Sequence, residues 1–144
     1  MESFSIDEVF LDMTGTSLIY PDPIKTAHEI KDKIRDELGF TVNVGISTNK
    51  LLAKMASDFE KPDKVHTLFP EEIPTKMWPL SVRDLLFLGK AFEKKLTEAG
   101  IRTIGDMAHV SESEIQALLG NKAGHQLHQY ALGIDKSPVK AKPE

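Results

Sequence analysis

Two carboxylates stand side by side at Asp7 and Glu8, inside a run that is otherwise apolar and aromatic, Phe4-Ser5-Ile6-Asp7-Glu8-Val9-Phe10-Leu11-Asp12. Adjacent carboxylates supply several hard oxygen donors. That suits divalent ions, and two such ions about 3.5–4 Å apart organise phosphoryl or nucleotidyl transfer. Successive residues of a strand point to opposite faces, so both side chains reach one metal cluster only if the strand turns there or the longer Glu8 arm wraps round. A solvated acidic pair at a strand end has the same signature, and a match this short recurs by accident. A second group is cationic. Lys50, Lys54 and Lys61 are separated by 4 and 7 residues and share one face if a helix runs through all three. Such a face holds triphosphate or DNA phosphates, or is an ordinary solvated helix face. Lys61 stands out because Pro62 restricts the backbone beside it.

Further along, Leu86-Phe87-Leu88-Gly89-Lys90 reads as a tight join between two helices. Ala99-Gly100-Ile101-Arg102-Thr103-Ile104-Gly105-Asp106 repeats that kind of join, with Thr103 as the N-cap. A helix-hairpin-helix aims backbone N–H groups and a helix N-terminus at a phosphate, a grip independent of base sequence. A plain helical hairpin has the same pattern. His125 and His128 lie three apart on a predicted helix. With no acidic partner in step they read as surface or packing residues rather than metal ligands. Trp78 and Tyr130 lack the aromatic neighbours of a base-stacking platform and read as core or interface residues.

The elements that must position these groups follow from pattern. The Phe4 to Asp12 run reads as a strand leaving into a loop at Thr14-Gly15-Thr16. Asp22-Pro23 opens a helix as N-cap and first helical residue; Ile24, Ala27, Ile30, Ile34 and Leu38 recur at helical spacing, and Gly39 stops it. Phe40 to Ile46 alternates and is β-branched, which predicts a strand. Leu51, Leu52, Met55, Ala56 and Phe59 predict a second helix, ended by Lys61-Pro62-Asp63, and Val65 to Phe69 a short strand. From Trp78 the pattern changes to short helices with short links, opened by capping-box spacings at Ser81 to Asp84 and Ser111 to Glu114. The stretch from Pro70 to Pro79 is the expected border between an α/β lobe and an all-helical lobe.

Composition sets the outer limits. The chain has 144 residues, 40% hydrophobic and 28% charged, enough for one ordinary domain or two small lobes. Cysteine is absent, so disulfides and thiolate zinc sites are excluded and any metal is held by oxygen or histidine, an inventory that suits magnesium. No run approaches the ~18 apolar residues of a membrane span, and no basic-then-apolar signal opens the chain. A cytoplasmic location without a membrane partner is the expectation. The net charge of -4 argues against a surface coated all over for nucleic acid. The charges are nevertheless separated: lysines recur from Lys50 to Lys64, from Lys90 to Lys95 and in the tail, which permits a local binding face.

Read in order, Ser5 to Asp12, then Val44-Gly45-Ile46-Ser47, then Asn49 to Asp58, then Lys61-Pro62-Asp63, closely resemble the Y-family translesion polymerases of the DinB and UmuC type. Ala99 to Met107 and Ala131-Leu132-Gly133-Ile134-Asp135 carry the resemblance over nearly the whole chain. It implies an α+β fold: a partial palm, a β-sheet with helices on one face, over 1–78; a small helix-hairpin-helix thumb over 79–135; and the start of a linker over 136–144. By resemblance Asp7 and Glu8 match the palm carboxylates that bind two catalytic magnesium ions. Lys61 matches the lysine on the incoming triphosphate. Lys54, Gly89 and Lys90 fall on the DNA-binding side, with Gly89 and Lys90 in the thumb hairpin that holds primer-template backbone. Primer-template DNA and a dNTP are the implied partners. Clamp-binding peptides would lie beyond Glu144, so a sliding clamp is a partner only through other regions.

Three departures shape the expectation. In the family, a first catalytic aspartate and the fingers precede the stretch matched by Asp7, and a little-finger domain follows the linker. An essential metal ligand is thus expected to be missing, and the chain alone is expected not to extend a primer. Phe87 stands where the family's hairpin has the first glycine of a Gly-x-Gly turn, and a side chain there blocks close approach of a phosphate. A palm without its earlier strands leaves an unpaired edge and apolar surface, which predicts self-association. The alternative reading is a non-catalytic relative with a vestigial palm that binds DNA or a repair partner through the helical lobe. A cyclase-like palm is a third, which the attached helical lobe disfavours.

Overall fold

The computed structural model describes residues 1–5 and 7–140, in two units: Met1–Thr67 together with the chain after Asp135, and Leu68–Asp135. The Phe4 to Asp12 run is not the single strand its composition suggests. It belongs to a hairpin in which β1 (Glu2–Ser5) pairs antiparallel with β2 (Glu8–Phe10), Glu2 opposite Phe10 and Ser5 opposite Glu8. Asp7 lies in the turn between them, while Ile6 lies outside the described residues. The polar residues that interrupt the apolar run are where the chain reverses, and aspartate suits a turn because its short side chain bonds to nearby backbone.

The first helix forms where expected. α1 (Pro23–Leu38) starts at Asp22, whose carboxylate accepts the backbone N–H groups of Ile24 and Lys25 at 3.1 Å, and stops at Gly39 with φ 78. Its apolar stripe is only partly covered: Ala27 is buried, Ile30 and Ile34 are half-buried, and Ile24 and Leu38 are exposed. The reason is length. A 16-residue helix is about 24 Å long, and it packs on β3 (Val44–Ile46) and β4 (Val65–Thr67), strands of three residues that span about 10 Å.

β3 and β4 pair in parallel, Val44 opposite Val65 and Ile46 opposite Thr67, and the crossover between them is α2 (Lys50–Ser57). Asn49 caps α2 by accepting the Leu52 N–H at 2.8 Å. Leu51, Leu52, Met55 and Ala56 are buried at 5% exposure or less, and full burial of a leucine stabilises by roughly 1.5–3 kcal/mol. The helix ends at Ser57, short of the predicted stop at Lys61-Pro62-Asp63. Asp58 and Phe59 instead bond back three residues, to Met55 and Ala56, and the Ser57 hydroxyl takes the Lys54 carbonyl at 2.7 Å, so the last turn tightens and closes. α2 lies so close to β3 that a Cβ on Gly45 would sit 1.9 Å from the Ala53 carbonyl oxygen and 2.5 Å from the Ser57 nitrogen.

The second unit is helical: α3 (Lys90–Glu98), α4 (Ile104–His109), α5 (Glu112–Leu119) and α6 (Asn121–Ala131), preceded by short turns at Pro70–Glu72, Ile73–Met77 and Val82–Asp84. Ser81 does not form the predicted capping box with Asp84. The segment is a single three-residue 3-10 turn, and the serine accepts the Arg83 N–H instead. Ser111 caps α5 through the Glu114 N–H as its spacing predicts. Leu96, Ile104, Met107 and Ile115 are fully buried. α5 and α6 touch almost backbone to backbone, since a Cβ on Gly124 would lie 2.5 Å from the Gln116 Cα. Trp78 donates its indole N–H to the Ala131 carbonyl at 2.9 Å and packs edge-on against His109. Among the described residues no helix is long and apolar enough to cross a membrane.

Two outcomes follow. Gly45→Ala forces backbone apart rather than a flexible side chain, and is expected to cost about 3 kcal/mol or more in urea unfolding. The second concerns Asp106, which accepts the N–H groups of Arg102 and Thr103 at 3.1 Å while Thr103 accepts the Asp106 N–H at 2.9 Å. Those backbone donors hold the Asp106 carboxyl below its ordinary value of 3.8. A depressed carboxyl contributes stability that is complete above the unfolded value and lost as pH falls through the folded one. The stability gap between the parent and Asp106→Asn is therefore expected to be full above pH 3.8 and to shrink below it, as read by thermal melts at stepped pH.

Candidate functional site

The β1–β2 hairpin is fastened to α2 by charge. Lys50 pairs with Glu2 and stands over the Phe10 ring, 5.1 Å from its centroid; Lys54 pairs with Glu8 at 2.7 Å and stands 5.6 Å from the Phe4 centroid. Phe4 and Phe10 themselves meet edge to face at 5.7 Å. The aromatic residues of the first motif thus form a floor for lysine stems from the second, and each ammonium ends on a carboxylate. Hydrogen bonds from Lys50 and the Lys140 backbone hold the Glu2 carboxyl below its usual range.

Lys54 is the most enclosed of the candidate cations, its side chain 11% exposed. Its ammonium binds Glu8 at 2.7 Å and Asp58 at 2.8 Å. Burial pushes that ammonium down, but the hydrogen bonds to Asp58 and Glu8 outweigh it and hold the group above its ordinary value. Partial burial likewise pushes the Asp58 carboxyl up, and the bonds from Lys54 and Lys61 outweigh it to hold it below the usual range. The other oxygen of Asp58 meets Lys61 at 3.1 Å.

Lys61 does not lie on the helical face of Lys50 and Lys54, because α2 has ended at Ser57. The turn through Asp58 brings it to the same cluster by another route. Asp7 is exposed in the hairpin turn and Glu8 is half-buried beside it. The strand does turn at this pair, which is the condition under which both carboxylates can serve one cluster. Their donor chemistry suits a hard divalent ion, and among the described residues no group of three or more His, Asp or Glu is placed to hold one. Asp63, also quoted in the motif, reaches away to α1, where Arg35 meets it at 2.7 Å and Lys31 at 3.5 Å.

Asp58 belongs to the cluster although the motifs by themselves assign it no role. Its signal was present, since it stands four residues after Lys54 and three before Lys61. The first spacing is that of neighbours on a helix face, while the contact with Lys61 forms in the turn beyond the end of α2.

In the helical unit, Gly89 is the N-cap of α3 and Lys90 its first residue, both exposed. The join before them links α3 to the 3-10 turn at Val82–Asp84 rather than to a full helix. Leu85 and Leu88 are buried at its ends and Phe87 between them is 64% exposed, with its ring centroid 6.2 Å from that of Tyr130. Phe87 has φ 67, the left-handed region that glycine enters at no steric cost. His125 and His128 do not converge: the first meets Glu112 at 2.7 Å, while the second is buried and donates to the Val110 carbonyl at 2.8 Å.

Comparison with known proteins divides the chain along similar lines. Residues 1–58 match the impB/mucB/samB family, and residues 83–135 match the thumb domain of DNA polymerase iota. The chain is 48% identical over 139 residues to DNA polymerase IV of Clostridium acetobutylicum and 43% identical to that of Moorella thermoacetica. Each alignment takes 96% of this chain but only 35% and 34% of the relative, so the chain spans about a third of the length of these proteins. Among solved structures, a Y-family DNA polymerase chimera superposes with TM-score 0.85 at 28% identity, over 99% of this chain and 42% of that one. DinB from Sulfolobus solfataricus gives TM-score 0.83, also at 28% identity, over 96% and 41%.

The strain at Phe87 yields a measurable outcome. Phe87→Gly releases about 1–2 kcal/mol of left-handed strain and gives up an aromatic contact of about 0.5–1.5 kcal/mol. Its unfolding free energy is expected to stay within about 1 kcal/mol of the parent in urea titration. A loss several times larger would show that the ring is a core anchor.

Proposed function

Because this chain belongs to the Y-family DNA polymerases, we propose that its residues serve as the later palm and the thumb of a DNA-directed DNA polymerase active in translesion synthesis during DNA repair. One observation carries this reading. Asp7 stands in the hairpin turn directly before Glu8, and a chain of ion pairs through Lys54 and Asp58 leads from Glu8 to Lys61.

In this reading Asp7 and Glu8 hold divalent ions, two magnesium ions in the working enzyme, with the remaining ligands supplied by other parts of the polymerase. When bound, such ions lower the pKa of an attacking hydroxyl and stabilise charge that develops on the phosphate. Lys61 balances the negative charge of the incoming dNTP triphosphate. Gly89 and Lys90 at the start of α3 face the phosphate backbone of primer-template DNA, where N–H groups and a cation grip without reading bases. Lys54 is assigned to the same DNA-binding side, but its ammonium already balances two carboxylates, so Lys90 carries the larger share. The Phe87 ring narrows the approach to that hairpin. A cytoplasmic location belongs to the same reading, and a sliding clamp reaches the enzyme through other regions.

The test is Asp7→Ala in the polymerase that contains these residues. Primer extension is expected to fall by several orders of magnitude while primer-template affinity, read by fluorescence anisotropy, stays near that of the parent. Unchanged extension would end the assignment of Asp7 to the metals.

A further inference from the structure

Asp58 is the first residue beyond α2, and its two oxygens face different lysines: one meets Lys54 at 2.8 Å, the other Lys61 at 3.1 Å. Lys54 in turn holds Glu8 at 2.7 Å. Charges alternate without a break from Glu8 to Lys61. The inner end is rigid, because Lys54 is 11% exposed and fixed by two carboxylates. The outer end is loose, with Lys61 59% exposed at the end of a long flexible stem.

We infer that Asp58 is a positioning residue that ties the mobile ammonium of Lys61 to the enclosed Lys54–Glu8 pair, so that triphosphate binding and the palm carboxylates share one geometry. The inference rests on the assignment of Lys61 to the triphosphate. Asp58 touches neither nucleotide nor metal; it acts through its neighbours. An exposed ion pair such as Asp58–Lys61 is worth little as a contact. Its effect is to restrict where Lys61 can be before the nucleotide arrives, which lowers the ordering cost of binding.

The experiment is equilibrium dNTP binding to the polymerase with a primer-template whose primer ends in a dideoxynucleotide, so that no chemistry occurs. Asp58→Asn is expected to weaken dNTP binding about two- to fivefold, measured well below the melting temperature, which itself falls because Lys54 loses one of its carboxylate partners. Asp58→Glu is expected to recover part of the loss. Added to Lys61→Ala, Asp58→Asn should produce no further loss, because the residue it positions is gone. Asp58→Ser serves as a second neutral variant should Asp58→Asn fold poorly. If Lys61→Ala weakens binding but Asp58→Asn leaves it unchanged or tightens it, the positioning role is overturned and the assignment of Lys61 stands. If Lys61→Ala has no effect, that assignment falls and this inference falls with it. A lower melting temperature with unaltered dNTP affinity would make Asp58 a helix-end residue only, again overturning the role.

Discussion

The first unit depends on one side chain being claimed twice. Lys54 projects from α2, loses most of its hydration, and answers Glu8 from the hairpin and Asp58 from the end of its own helix. Were the ammonium absent, two carboxylates within hydrogen-bond reach of a single point would repel each other. The hairpin would also lose an ionic attachment to α2, leaving that of Glu2 to Lys50 among the described residues. A buried charge is costly unless paired, so a lysine in this position makes the fold insist on both partners. That insistence places Glu8 and Lys61, distant in sequence, in one cluster.

The close approach of α2 to β3 is the steric counterpart. Gly45 lets the helix backbone come so near that even a methyl group would collide with Ala53 and Ser57. The strand pair β3–β4, the crossover helix and the lysines it carries are consequently fixed as a block. The helical unit uses different means. Thr103 and Asp106 satisfy each other's backbone at the start of α4, and Gly124 lets α5 and α6 meet closely. Its hairpin holds Phe87 at a backbone angle suited to glycine, a local cost carried beside the residues proposed to meet DNA phosphates.

Much of this was legible in the chain. The Asp22-Pro23 start and Gly39 stop of α1, the Thr103 N-cap and the β3–α2–β4 order could be read because caps, glycine stops and apolar periods are local signals. Reading failed where tertiary context chose between local options. The apolar residues on either side of Asp7 and Glu8 look continuous, so pattern alone predicts one strand where the chain folds as a hairpin. Pattern alone also carries α2 past its last turn, because Phe59 continues the apolar stripe, whereas Ser57 and Asp58 close the helix by hydrogen bonds. Ser81 and Asp84 had the right spacing for a box, but the segment is too short to form an α-turn.

By itself, then, the sequence determined the residue types that can do chemistry, the order of the motifs and the helix boundaries that carry cap signals, because each depends on neighbours along the chain. Only the tertiary structure decided that Glu8, Lys54, Asp58 and Lys61 form one line of alternating charge. Glu8 and Lys54 are separated by 46 positions, and no local pattern records which ammonium a carboxylate will meet once a hairpin has folded onto a helix. It also decided that Lys54 turns inward while Lys61 stays exposed, a difference set by burial against Phe4 and the hairpin rather than by the lysines themselves.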